Sequence, residues 1–135
     1  PILIRMKSDI LPLLEASASG SLADKTIEWD SRASLCVVMA AGGYPGSYEK
    51  GLEIKGLKKA AKVKDAVVFH AGTTLKSDKV VSSGGRVLGV TALGKTVSEA
   101  QSRAYEATNC IDWQDAYYRR DIGHRAIARE KNTNE

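Results

Sequence analysis

Aromatic residues are scarce in this 135-residue chain, which has one Phe, two Trp and five Tyr. Phe69 stands alone, and Trp113, Tyr117 and Tyr118 gather near the end. The core must therefore rest on Val, Leu, Ile and Ala. There are two cysteines, Cys36 and Cys110, far apart in the sequence. Both read as small buried apolar residues and free thiols, which gives no disulfide framework. The two histidines, His70 and His124, are isolated, and no Cys/His spacing suits zinc. Long apolar runs are also missing. The longest, Leu35 to Ala41, falls far short of the ~20 residues that cross a bilayer. With no signal peptide legible, a cytoplasmic protein without a membrane partner is expected.

One sign of charge does not dominate. Lys and Arg number 20 against 16 Asp and Glu, a net charge of +4. The signs are interspersed, and only Lys58, Lys59, Lys62 and Lys64 approach a cluster. A solvated face is the reading taken, so no nucleic-acid partner is expected; such binding would fall steeply with salt. A composition 43% hydrophobic and 27% charged is that of a globular chain, and its length suits one core. Pro1 leads straight into Ile2-Leu3-Ile4 with no polar lead-in. This raises the expectation of a piece of a longer protein.

The hydrophobic pattern predicts an α+β fold, a small antiparallel β-sheet with flanking helices. Residues 2–18 have helical spacing, interrupted near Lys7-Ser8 and ended around Gly20. Thr26 to Trp29 and Glu53 to Leu57 read as short strands. Ala33 to Ala41 reads as a strand buried on both faces. Ala66 to Ala71 is a further strand. The runs on either side of Gly84-Gly85 read as an antiparallel hairpin. Thr96 and Glu99 have capping-box spacing and open a helix to about Asn109, with Val97, Ala100, Ala104, Ala107 and Ile111 on one stripe. Lys131 to Glu135 reads as a frayed tail.

Two glycine-rich segments could carry chemistry. Gly42-Gly43-Tyr44-Pro45-Gly46 ends the buried strand and is open to two readings, a tight structural turn or a loop that presents amides to an anion. It lacks the Gly-Lys-Ser/Thr of a P-loop and is no dinucleotide fingerprint. Gly84-Gly85-Arg86 is on spacing a hairpin turn; functionally it would hold an arginine fork beside a turn, suited to phosphate. Arg5 and Lys7 could share a helix face, although surface cations commonly do so without function. Arg119, Arg120, Asp121 and Arg125 read as structural ion pairs. No Ser/His/Asp or Cys/His arrangement appears, so no catalytic residue and no metal ligand is assigned within the chain.

Several segments together carry a family resemblance: 1–9 (Pro1 to Asp9), Glu28-Trp29-Asp30, 40–46, Phe69-His70-Ala71-Gly72-Thr73, 84–88, 90–94 and 118–123. In this order they resemble the C-terminal part of glycinamide ribonucleotide synthetase, the phosphoribosylamine–glycine ligase of the ATP-grasp superfamily. The resemblance implies a ligase of de novo purine biosynthesis that joins glycine to 5-phosphoribosylamine through glycyl phosphate, using ATP and Mg (or Mn). The metal ligands and ATP clamp would lie upstream of Pro1, so neither cofactor is expected to bind this piece alone, and the piece alone is expected to be inactive. Its partners would be the N-terminal and ATP-grasp parts of the same protein. The implied organisation is residues 1–24 from the end of the ATP-grasp domain, 25–130 as the C-terminal sheet domain and 131–135 as tail. Arg5, Gly42, Gly43, Tyr44 and Arg86 are the implied substrate-binding residues, the two arginines toward the ribose 5-phosphate or the glycyl carboxylate. The alternative is a free-standing, non-catalytic binding or structural module of the same fold.

Overall fold

The computed structural model describes residues 1–133. Helices α1 (Ile2–Arg5) and α2 (Leu11–Ser19) and a 3-10 turn (Leu22–Asp24) precede strand β1 (Ala33–Ala40). Then come α3 (Leu57–Ala60), β2 (Ala66–His70), β3 (Thr73–Lys76), β4 (Lys79–Ser82) and β5 (Arg86–Gly94). Helices α4 (Val97–Thr108) and α5 (His124–Thr133) follow. Among the described residues the strands form a three-stranded sheet in the order β1-β5-β2 and a separate β3-β4 ribbon. All the pairings are antiparallel, an α+β arrangement. The frayed tail expected at 131–135 overlaps the last turn of α5, and its residues 134–135 lie outside the described residues.

β5 is the central strand because it is apolar along both faces. It pairs with β1 from Ala33↔Gly94 to Met39↔Leu88 and with β2 from Ala66↔Ala92 to His70↔Leu88. Leu35, Val37 and Met39 of β1 and Val90 and Ala92 of β5 turn one face inward. Helix α4 covers that face with Ala100, Ala104 and Ala107, all fully buried, and small side chains let its axis lie close to the sheet. The predicted cap is present, with the Glu99 amide donating to Thr96 Oγ1 at 3.1 Å. The Glu99 carboxylate reaches back one residue further than expected, to the Lys95 amide. Glu130 of α5 accepts from the Val97 amide at 2.8 Å, which adds a negative charge where the α4 dipole favours one.

The structure corrects several expectations. β1 is not buried on both faces, because α4 covers only one; Val38 points the other way and is 46% exposed. Cys36 and Cys110 are free but only partly buried. The runs around Gly84-Gly85 do not form a hairpin. β4 pairs instead with β3 across Ser77-Asp78, both in the left-handed region (φ 48° and 60°), as a two-residue hairpin loop requires. Asp tolerates that conformation through its short polar side chain, so the turn lacked a glycine signature. Thr26 to Trp29 and Glu53 to Leu57 contribute isolated bridges, Met6↔Trp29, Glu53↔Val81 and Lys55↔Asp112, rather than strands.

A chain of charges crosses the fold. Arg32 binds Asp30 through two hydrogen-bonding nitrogens and reaches Asp65 at 3.0 Å; Arg103 of α4 reaches Asp65 at 3.2 Å and also Glu99. The Arg32 guanidinium, bonded side chain to side chain, holds the Asp30 carboxyl down at about 2 from an ordinary 3.8, and it lowers Asp65 also. A carboxyl depressed in this way contributes stability above its unfolded value and loses it as pH falls toward its folded value. The melting temperature is therefore expected to drop between about pH 4 and pH 2. Arg32→Met should make that decline shallower, and equal slopes in the two proteins would show that the Asp30–Arg32 pair does not contribute.

Candidate functional site

Three loops meet where β5 begins. The first leaves β1 at Ala41, whose amide donates to the Gly85 carbonyl at 2.8 Å. It turns at once, the Tyr44 amide bonding Ala41 O at 3.1 Å, and Tyr44-Pro45 is cis. The second is the Ala71-Gly72 link between β2 and β3. The third is Ser83-Gly84-Gly85, which carries the chain from the β3-β4 ribbon into β5.

Backbone touches backbone at this corner. Gly72 N donates to Arg86 O at 2.9 Å, and Gly72 O accepts from both Ser83 N (2.8 Å) and Gly84 N (3.2 Å). A Cβ on Gly72 would sit 2.7 Å from the Gly84 Cα and from Arg86 O, distances that real side chains do not occupy. Gly85 is buried under the Tyr44 ring, with Cδ2 2.1 Å from where its Cβ would be. Tyr44 in turn meets the Tyr48 ring edge-on at 6.1 Å. Gly42 is packed against Asp115, and Gly43 has φ 91°.

What this corner leaves open is polar. The Gly42 and Gly43 amides bond no acceptor among the described residues, and the exposed Arg86 guanidinium has no hydrogen-bond or ion-pair partner there. Arg32, Arg103 and Arg119 are by contrast each held by carboxylates. A fork of five donors with nothing to neutralise it suits a phosphate or a carboxylate, and so do backbone amides that bond no acceptor. Among the described residues no group of three or more His, Cys, Asp or Glu side chains could hold a metal ion.

Gly42, Gly43, Tyr44 and Arg86 are thus brought together. Arg5 belongs elsewhere: it ends α1, and its Nε donates to Asp30 O at 3.1 Å. Lys7 pairs with Glu28 at 3.3 Å. Gly72 is a corner residue that sequence reasoning did not single out, and so is the His70–Thr73 pair (Nδ1 to Oγ1, 3.0 Å) beside it. Residues 69–73 lie in one of the segments that carry the family resemblance, but an isolated histidine and a lone glycine have no signal of their own.

The fold and the corner define an α+β domain whose sheet is backed by one helix and whose open polar groups sit at one sheet end. Residues 34–125 match the family described as Phosphoribosylglycinamide synthetase, C domain, and the chain belongs to that family. It is 59% identical over 133 residues to the phosphoribosylamine–glycine ligase of Escherichia coli O157:H7, which covers 98% of this chain and 31% of that relative. It is 51% identical over 131 residues to the enzyme of the same name from Pseudomonas syringae pv. tomato, covering 97% and 30%. The crystal structure of the Thermotoga maritima phosphoribosylamine–glycine ligase is 32% identical, with a TM-score of 0.63 over 80% of this chain and 27% of that one. The chain spans about a third of the length of the curated relatives it matches.

Overpacking this corner should be costly. Gly72→Ala drives a methyl into two backbones and is expected to destabilise the chain by about 3 kcal/mol, the upper end for an added carbon in a packed site. Denaturant unfolding measures it, and a loss below about 0.5 kcal/mol, an ordinary surface change, would mean that the corner is loose.

Proposed function

We propose that this chain is the C-domain part of a phosphoribosylamine–glycine ligase and that its corner of glycines holds an anionic substrate group through Arg86. The observation that carries this reading is that, among the described residues, the exposed Arg86 guanidinium has no partner and the Gly42 and Gly43 amides bond no acceptor, on loops that the Ala41–Gly85 hydrogen bond brings together. Membership of the C-domain family supplies the reaction class. The relatives' name states a ligation between phosphoribosylamine and glycine.

In this reading the complete enzyme phosphorylates the glycine carboxylate with ATP, and the phosphoribosylamine nitrogen attacks the acyl carbon while phosphate leaves. Arg86 contributes by holding the ribose 5-phosphate or the substrate carboxylate, which fixes the direction of attack. The Gly42 and Gly43 amides add neutral donors to the same anion, and Tyr44 walls the loop. ATP and magnesium belong to the rest of the polypeptide. Among the described residues no group of three or more His, Cys, Asp or Glu side chains fits a metal. Arg5, bonded to the Asp30 carbonyl, keeps other guanidinium nitrogens for a substrate that approaches over α1. Residues 1–24 would belong with the ATP-grasp part and 25–130 with the sheet domain. Purine biosynthesis in the cytoplasm is the corresponding setting.

Hydrogen bonds to a charged group contribute about 1.5–3 kcal/mol. In the complete ligase Arg86→Ala is therefore expected to raise the KM for phosphoribosylamine about tenfold to a hundredfold at saturating ATP and glycine. Arg86→Lys should recover part of it, since it keeps the charge and loses the fork. A KM unchanged in Arg86→Ala removes this residue from the site.

A further inference from the structure

β2 is an edge of the three-stranded sheet, with β5 on its one paired side. Leu93 N donates to Asp65 O and Ala71 N to Val87 O, so by alternation Asp65, Val67, Phe69 and Ala71 turn their backbone groups toward β5. The N–H and C=O groups of Val68 and His70 therefore point away from the sheet, where they have no partner among the described residues. Ala66-Val67-Val68-Phe69-His70 holds no Lys, Asp, Glu or Pro, and its register with β5 runs without a bulge. None of these common devices blunts this edge. Beside it, α3 and β2 flank a groove of about 410 Å³, lined by Leu57, Ala61 and Val68 together with Lys58 and His70.

The approach to this edge carries one sign of charge. Residues 54–64 hold five lysines and no acid. Lys58, Lys59, Lys62 and Lys64 are all exposed, and none has an ion-pair or hydrogen-bond partner among the described residues. Asp65, the next acid along the chain, is already held by Arg32 and Arg103. A lysine run is commonly a solvated face, but this one borders an unpaired hydrogen-bonding edge and an apolar groove. We propose that the free edge of β2 docks an extended acidic segment of a partner protein, which adds a fourth strand to the sheet and sets its carboxylates among these lysines. A second copy of this chain is the poorer occupant, because it would bring the same lysines to the contact. Nucleic acid is poorer also, since no Phe, Tyr or Trp lines the groove for bases to stack on. Docking here uses none of Gly42, Gly43, Tyr44 or Arg86, so it stands apart from the ligase reading.

A peptide of alternating glutamate and valine is the probe, offered to the complete ligase that carries this sequence. It should bind, and the Val68 and His70 amides should then exchange hydrogen about tenfold more slowly, because they gain acceptors. Lys58→Glu combined with Lys62→Glu should weaken binding about tenfold while the melting temperature changes little, since both side chains are exposed. Methylating alternate backbone nitrogens of the peptide keeps its charge and removes its ladder donors, and should also weaken binding about tenfold. Equal binding by the methylated peptide, or by a single-stranded oligonucleotide of the same charge, overturns the proposal, because the lysines would then be a general polyanion surface. So does a peptide that fails to bind, one that binds the double variant as tightly, or one that leaves exchange at Val68 and His70 unchanged.

Discussion

Where β5 begins, the Gly84 backbone lies against that of Gly72, with no side chain between them. The contact joins the three-stranded sheet to the β3-β4 ribbon, and the rest of the corner depends on it. With the chain held there, Gly85 O can meet Ala41 N, the Tyr44 ring can lie on Gly85, and Arg86 leaves the turn with its guanidinium outward. Placement follows from backbone hydrogen bonds and close packing and needs no side-chain partner for Arg86. That is why its charge stays available, whereas Arg32 and Arg103 spend theirs in tying Asp30, Asp65 and Glu99 together.

The two faces of the sheet divide the work. Toward α4, small alanines and β-branched strand residues build a dry core that sets the position of β5. Away from α4, a second apolar face remains, with α1 across it. The Asp30–Arg32–Asp65–Arg103 chain fastens the end of the N-terminal segment to the loop before β2 and to α4. These interactions are charge-assisted and partly exposed, so they contribute more to fixing position than to net stability.

Much of this was legible in the sequence. Short apolar runs bounded by glycine and turn residues located β1, β2 and β5, and Thr96 with Glu99 located the start of α4, because those signals are local. The β3-β4 ribbon was hidden, since its turn uses Ser77-Asp78, while the glycine pair one strand later drew the hairpin assignment. That glycine pair serves tertiary contacts, Gly84 with Gly72 and Gly85 with the Tyr44 ring, and no local pattern distinguishes a glycine kept for a turn from one kept for a neighbour. Gly42, Gly43, Tyr44 and Arg86 were grouped through family motifs, and their meeting is long-range. Arg5 was grouped with them on the same basis, yet its hydrogen bond goes to Asp30 O, a partner that only the folded chain brings near. Val38 was taken as buried because an apolar run does not say how many faces are covered.

The most direct measurement is the kinetics of the complete ligase with Gly85→Ala, alone and combined with Tyr44→Ala. If the corner sets Arg86, the new methyl displaces the Tyr44 ring, and the KM for phosphoribosylamine rises with less change in kcat. The double variant should then be no worse than Tyr44→Ala alone, because the clash has gone. Wild-type kinetics in Gly85→Ala would contradict the account.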